Sequence, residues 1–398
     1  MFYREWRRRA PGETRDLGRA RALAAALGVL GPAVPVLTVV GSKGKGTTAT
    51  YVSAFLSAAG LRVCTVTSPG LRSDRDRIRV DGHAVSEAEL AVLGDVLETG
   101  VAALPPPTGG YLSPSGLFTV AGVVHARRVG ADAIVLEAGM GGRSDEVSLF
   151  PPAVTAITPI FREHRGVLGD TPAEIAAEKL GVAGPGTVVV SAPQSAEVAR
   201  VLGDAERVGP GGSGLPDDLL PAGLSRVGAE LGVVAARRLP GAAEPPAGPL
   251  RDVLASVVLP GRLSWHGVPG SATRLLIDSA VDRTGVAAAL AEARRAWGGV
   301  DHVLVCLPDH KDVDGAVAEL RGLPVTFVRL PYRRLRFERP LPPGWDVVGP
   351  DAVTRTSLAA LGRRVVVLGT VYFTGLVLDV VDADTERLYV TAAARRPA

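Results

Sequence analysis

Four lysines stand against forty arginines in this 398-residue chain, and two of the four fall in one glycine-rich run. The run is Gly41, Ser42, Lys43, Gly44, Lys45, Gly46, Thr47 and Thr48. A β-branched stretch at 34–40 precedes it, and a helical pattern with Val52, Phe55, Leu56 and Ala59 on one face follows. Strand, glycine loop, helix is an order that cradles phosphate. Glycines let backbone N–H groups turn inward around the oxygens, and the helix N-terminus adds positive potential. All eight residues are therefore candidate ATP contacts. Lys45 is expected to reach the terminal phosphates, and Thr47, with Thr48 as its substitute, to place a hydroxyl on Mg2+. The plain alternative is a glycine-rich turn with an incidental lysine, which the flanks and spacing disfavour. Because this chain uses Arg wherever a generic cation suffices, Lys43, Lys45, Lys179 and Lys311 are each expected to do something an Arg cannot.

The loop departs from GxxxxGK[ST] by reading G-x-x-G-K-G-T, and this short form resembles the Mur ligases, especially the GTNGKGS of folylpolyglutamate and dihydrofolate synthases. The likeness continues along the chain. TSPGL at 67–71 resembles that family's TSPHL, and DRIRVDG at 76–82 with Val85 and Ser86 resembles ERIRINGxxIS. LEAGMGGR at 136–143 with Asp145 resembles LEVGLGGRLD. Glu163, His164 and LGDT at 168–171 are similar to DHxxxLGDT, and IAAEKLG at 175–181 to IAxEKAGI. LPGRL at 259–263 and GTVY at 369–372 resemble WPGRL and GSLY, and Lys311 lies in DHKD at 309–312, near the family's DKD. These segments keep the family's order across about residues 15 to 376.

The resemblance implies an α/β fold, with a P-loop NTPase-type Mur ligase central domain built on a parallel sheet and a smaller Rossmann-like α/β C-terminal domain. It implies an ATP-dependent, ADP-forming ligase. ATP would phosphorylate a carboxylate, an amine or amino acid would attack the acyl phosphate, and the adduct would expel phosphate. Lys45, His164 and Lys179 are the implied catalytic residues. Thr47 would hold a first Mg2+, and Ser68, Glu137 and His164 a second. Lys179 would be carbamylated, since only an amine can take up CO2 there. Arg262 and Asp278 would contact nucleotide. Charge neutralisation and positioning would carry the catalysis. Glu137 also makes sense alone, as a carboxylate closing the apolar strand AIVLE at the sheet edge that faces the loop. Against these stand bland alternatives: a strand-end surface charge for Glu137, an ordinary histidine for His164, turn chemistry for Ser68 before Pro69, and a salt bridge to Glu178 or Glu174 for Lys179.

Departures cluster where substrates bind. TSPHLVRFN becomes TSPGLRSDR, so Gly70 and Asp74 replace a histidine and an aromatic while Arg72 and Arg75 are added. PTxFE corresponds to PSGLF at 114–118, without the acid that would pair with a pterin edge. DGAHNP becomes DSAVDR at 278–283, which retains Asp278 but places Val281 and Asp282 where a histidine and an asparagine would help hold nucleotide. The expected substrate is accordingly a non-folate carboxylate in a specialised biosynthetic pathway. A genuine folylpolyglutamate or dihydrofolate synthase and a non-catalytic nucleotide-binding subunit are the alternatives. A generic P-loop kinase or GTPase would leave EKLG, LGDT and PGRL unexplained.

Elements must position these residues. β-Branched runs at 34–40, 61–67, 133–137, 153–158 and 187–191 alternate with helical patterns, as in a parallel sheet flanked by helices. The pattern weakens through a Gly/Pro-rich stretch after Ala192. It resumes at 274–278, 302–307, 325–330 and 364–368, with a helix over 286–297. Two domains are expected, 1–262 and 263–398. Hydrophobic content of 46% supplies two cores, and a net charge of +3 without basic-aromatic clusters argues against nucleic acid. Residues 22–42 carry no charge but are broken by Gly28, Gly31, Pro32 and Pro35, so no membrane span is expected, and the basic N-terminus lacks the apolar run of a secretory signal. Cys64 and Cys306, far apart in apolar runs, read as reduced core thiols. A cytoplasmic monomer is the expectation.

Overall fold

The computed structural model describes residues 1–31, 33–164, 166–332 and 335–391. Its contacts divide the chain into two compact units, and each is built on its own sheet.

The first unit carries an eight-stranded sheet. Its order is Glu206–Arg207, Val188–Ser191, Val154–Ile157, Val36–Val40, Ala133–Glu137, Val63–Val66, Ile78–Val80 and His83–Ala84. The first six strands are parallel and the last two form an antiparallel hairpin at one edge. Every residue of Val36–Val40 and of Ala133–Glu137 is buried, as expected of parallel strands covered on both faces. The chain leaves Val36–Val40 for Val63–Val66, comes back to Ala133–Glu137 beside it, and then crosses to Val154–Ile157 on its other side. The carboxyl end of Val36–Val40 therefore opens at a switch in strand order, where open α/β sheets place ligands.

Local chemistry sets the helix boundaries. Ser86 and Thr171 start Glu87–Ala102 and Pro172–Leu180 with capping boxes closed by Glu89 and Glu174. Ser113 caps Pro114–Val129, which ends on left-handed Gly130. Ser225–Arg237, inside the stretch whose strand signals fade, is a helix with nine buried residues packed on Lys45–Ala58. Gly228 and Gly232 allow that approach. A Cβ on Gly232 would lie 2.6 Å from the Thr48 carbonyl oxygen, and one on Gly228 3.1 Å from Thr48 Oγ1.

The second unit, Ala222–Leu224 with Val258–Thr385, carries a six-stranded sheet. Its order is Ser264–Gly267, Arg274–Asp278, Arg364–Gly369, His302–Cys306, Val325–Val328 and Asp346–Val348, parallel except for the first. Arg283–Trp297 covers this core through Val286, Ala289, Leu290 and Ala293. Residues 386–391 cluster with the first unit. Cys64 and Cys306 are buried and free, and burial pushes each thiol up to about 12. No helix among the described residues is long and apolar enough to cross a membrane.

Candidate active site

The glycine loop sits at the end of Val36–Val40. Gly44, at φ +92°, turns the chain into Lys45–Ala58, whose first turn carries no acid. The N–H groups of that turn thus face no competing carboxylate from their own helix. Gly41, at φ +136°, lies so near Thr158 that a Cβ would stand 2.0 Å from its Oγ1, so only glycine fits. Lys45 folds back and donates from Nζ to the Gly41 carbonyl at 3.1 Å. Thr47 and Thr48 are buried, and Thr48 Oγ1 has no protein partner among the described residues.

A second lysine reaches the same carbonyl. Lys179, near the end of Pro172–Leu180 and only 2% exposed, donates to Gly41 O at 2.9 Å and ion-pairs with Glu163 Oε1 at 2.9 Å. Burial depresses the Lys179 ammonium, and the charge of Lys45 adds to that, against the pull of Glu163. Burial alone would raise Glu163, yet Lys179, Lys45 and the Ser42 hydroxyl hold its carboxyl below the usual range. The loop 139–145 wraps the end of this helix: a Cβ on Gly142 would meet the Lys179 carbonyl oxygen at 2.3 Å, and Glu178 accepts from Ser144 N and Oγ.

Glu137 lies on the opposite flank. It is 7% exposed, accepts from Ser68 N at 3.1 Å, and a Cβ on Gly46 would stand 3.6 Å from its Oε2. Ser68 Oγ accepts from Arg77 Nη2 at 3.0 Å. Arg77 is itself buried, with its guanidinium 4.2 Å over the Phe118 ring and its Nε without a hydrogen-bond partner among the described residues. Phe2 stacks on Phe118 at 4.0 Å, so both ring faces are covered. His164, left-handed at φ +45°, has a half-exposed side chain 3.9 Å from Glu163.

The loop, Lys45, Lys179, Glu163, Glu137 and Ser68 thus connect through Gly41 and Gly46, with His164 at the rim. Among the described residues no three His, Cys, Asp or Glu side chains form a metal cage. The donors near the loop are hard oxygens, the Glu137 carboxylate and the Thr47 and Thr48 hydroxyls, which suit Mg2+ completed by phosphate and water. Arg262 and Asp278 belong to the second unit. There Arg262 donates to its neighbour's carbonyl at Gly261, and Asp278 accepts from the N–H of left-handed Leu263. Asp282 caps Arg283–Trp297, a structural use of the residue found in place of asparagine. Arg77 and Glu163 are the site residues that motif reasoning did not single out. Both lie inside matched segments, DRIRVDG and the pair before LGDT, but only packing shows one covering Phe118 and the other paired with Lys179.

No family model matches the chain. Among curated proteins it is 33% identical over 193 residues to the dihydrofolate synthase/folylpolyglutamate synthase of Bacillus subtilis (strain 168), covering 48% of this chain and 45% of that one. It is 36% identical over 174 residues to the protein of the same name from Escherichia coli (strain K12), covering 43% and 39%. The matches thus span less than half the length of these relatives. Among solved structures, Mycobacterium tuberculosis folylpolyglutamate synthase complexed with ADP superposes with a TM-score of 0.77 at 25% identity, over 94% of this chain and 96% of that one. A bifunctional folylpolyglutamate synthase/dihydrofolate synthase with Mn, AMPPNP and L-glutamate bound superposes at 0.74 with 23% identity, over 92% and 94%.

The chain is similar to folylpolyglutamate and dihydrofolate synthases, in sequence over less than half of its length and in fold over nearly all of it. Its departures from that family have local structural reasons. A Cβ on Gly70 would lie 2.3 Å from the Ser73 carbonyl oxygen, so this loop has no room for the histidine of TSPHL. Asp74, in place of an aromatic, accepts from the Tyr3 hydroxyl at 2.6 Å, and burial with that carboxylate pushes the phenol up to about 12.

Proposed function

We propose that the protein is an ATP-dependent, ADP-forming carboxylate–amine ligase of folylpolyglutamate/dihydrofolate synthase type. The observation that carries this reading is the convergence of Lys45 and Lys179 on Gly41 O, with Glu137 beside Gly46. The loop N–H groups and Lys45 bind the ATP phosphates, holding the γ-phosphoryl in line with an incoming carboxylate. Arg77, a buried cation bonded to Ser68, is the group that would anchor that carboxylate. Thr47 would hold one Mg2+ at the loop, and Ser68, Glu137 and His164 would hold a second, with a carbamylated Lys179 as a further oxygen donor. A bound Mg2+ supplies charge neutralisation on the transferring phosphoryl group. Lys179 as found is a cation and repels a metal. Carbamylation, R-NH2 + CO2 → R-NHCOO⁻ + H⁺, makes it an anionic oxygen donor, and its depressed ammonium favours the amine that reaction needs.

The substrates of the relatives, a folate-type carboxylate and glutamate, are the first pair to test. A non-folate carboxylate is the second reading, favoured by the covered faces of Phe118 and the closed space at Gly70. The protein is taken as a cytoplasmic monomer acting on small molecules. The test is phosphate release from ATP and Mg2+ against panels of folates, other carboxylates and amino acids, with Lys45→Ala as control. Amine-dependent release with a reduced folate supports the first reading, and release only with another carboxylate the second. Silence with every pair despite ATP binding leaves a non-catalytic subunit.

A further inference from the structure

After the second unit ends at Thr385, the chain runs back along the exposed edge of the first unit's sheet. Ala84 N donates to Glu386 O at 2.8 Å and Leu388 N donates to Gly82 O at 3.0 Å, with Arg387 bridging His83 in antiparallel sense. This strap covers the hairpin edge that would otherwise expose unpaired backbone groups. Its anchor is Tyr389, 1% exposed, whose ring fills the space above Gly82. The Tyr389 hydroxyl bonds Ser57 Oγ at 3.0 Å, near the end of the phosphate-loop helix Lys45–Ala58.

Val390 N donates to Ser256 Oγ at 2.8 Å, and the remaining polar contacts of the strap go to Arg75 and Arg79. The Glu386 carboxylate pairs with Arg75, and the Glu386 carbonyl accepts from Arg79 Nη1 at 2.8 Å. Arg79 pairs with Asp76 at 3.2 Å, and the other oxygen of Asp76 accepts from the N–H groups of Arg72 and Ser73 at 2.9 and 3.1 Å. These bonds shape residues 70–77, the segment whose far end, Arg77, holds Ser68 against Glu137. Evening out an edge does not require an acid here. The carboxylate is 63% exposed, and the partner it reaches is Arg75 of this loop.

We propose that Glu386 is a positioning residue for the carboxylate substrate. The strap at 386–391 holds loop 70–77 in the shape that presents Ser68 and Arg77 to the site. The role of the loop in substrate binding rests on the ligase reading above; the shaping of the loop by the strap does not. A chain ending at Thr385 loses Tyr389 and its fold along with the strap, so the full-length Glu386→Ala protein is the decisive variant. Two measurements are made on it, amide hydrogen exchange over 70–77 without substrate and steady-state kinetics with a reduced folate and L-glutamate, or with the pair the release panel identifies.

The expected result is faster exchange at 72–76 with the Lys45–Ala58 amides unchanged. The KM for the carboxylate rises on the order of tenfold while the KM for ATP and kcat hold. Glu386→Gln, which keeps an acceptor at the same reach, falls between. Arg75→Ala gives the same loss, and the double variant adds nothing further. Unchanged exchange at 72–76 overturns the proposal, as does faster exchange with an unchanged carboxylate KM. If the wild-type chain turns over no pair, the ligase reading fails, and exchange alone decides whether the strap shapes the loop.

Discussion

Lys45 and Lys179 donate to one carbonyl but are not equivalent cations. Lys45 stands in the loop and is replaceable only by a group that reaches phosphate. Lys45→Ala is expected to lower kcat by about 10²–10³-fold, the cost of removing one preorganised charge from a phosphoryl-transfer site, read by phosphate release. Lys179→Arg keeps the positive charge but cannot be carbamylated, so it is expected to be as inactive as Lys179→Ala; activity at the wild-type level would rule out the carbamate. Away from the site, His125 is buried between helices, 4.0 Å from Glu89, and burial, with Arg128 adding, depresses its imidazolium below the ordinary 6.5. Between that lowered value and 6.5 the unfolded chain binds more protons than the folded one, so stability falls as pH drops through the window. Thermal melts from about pH 7 to about pH 5 are expected to show this loss, and His125→Gln to flatten it.

Two elements frame the candidate site, and each depends on close approach at glycine. Pro172–Leu180 carries Lys179 and is clasped by loop 139–145 at Gly142. Gly142→Ala must push that helix away from Gly41. A loss of about 1–3 kcal/mol in chemical denaturation is expected, with a fall in kcat larger than in ATP affinity. Ser225–Arg237 supports the phosphate loop from behind through Gly228 and Gly232. Gly232→Ala puts a methyl against the backbone of the phosphate-loop helix. Its predicted signature is weaker ATP binding, because the cradle itself moves; calorimetric titration that found wild-type affinity would argue against a supporting role for this helix.

At the scale of the molecule, two separate cores and two sheets mean that a single unfolding free energy is not assured. A non-hydrolysable ATP analogue with Mg2+ at about 100 times its Kd is expected to stabilise the unit bearing the phosphate loop by about 2.7 kcal/mol. In differential scanning calorimetry this is an upward shift of that transition, absent in Lys45→Ala.

Much of this architecture was legible in the chain. Strand 133–137 is buried throughout and 274–278 at its centre, so both stand out as apolar runs with the observed bounds, and the loop's glycines stand out because φ and Cβ constraints admit few residues there. The helix Ser225–Arg237 was not legible, since its Gly, Ala and Val residues lie where the strand pattern weakens, and its value is in closeness of approach rather than periodicity. Glu163 as the partner of Lys179, Arg77 over Phe118 and Glu386 on Arg75 join positions 16, 41 and 311 residues apart. The sequence by itself determined the glycine loop between strand and helix, the strands that frame it and the family they resemble, because local backbone geometry and burial dictate residue type. Which charges face each other, and the return of the chain terminus to the substrate loop, were decided only by tertiary packing, because ion pairs and edge pairing form between whichever segments the fold brings together.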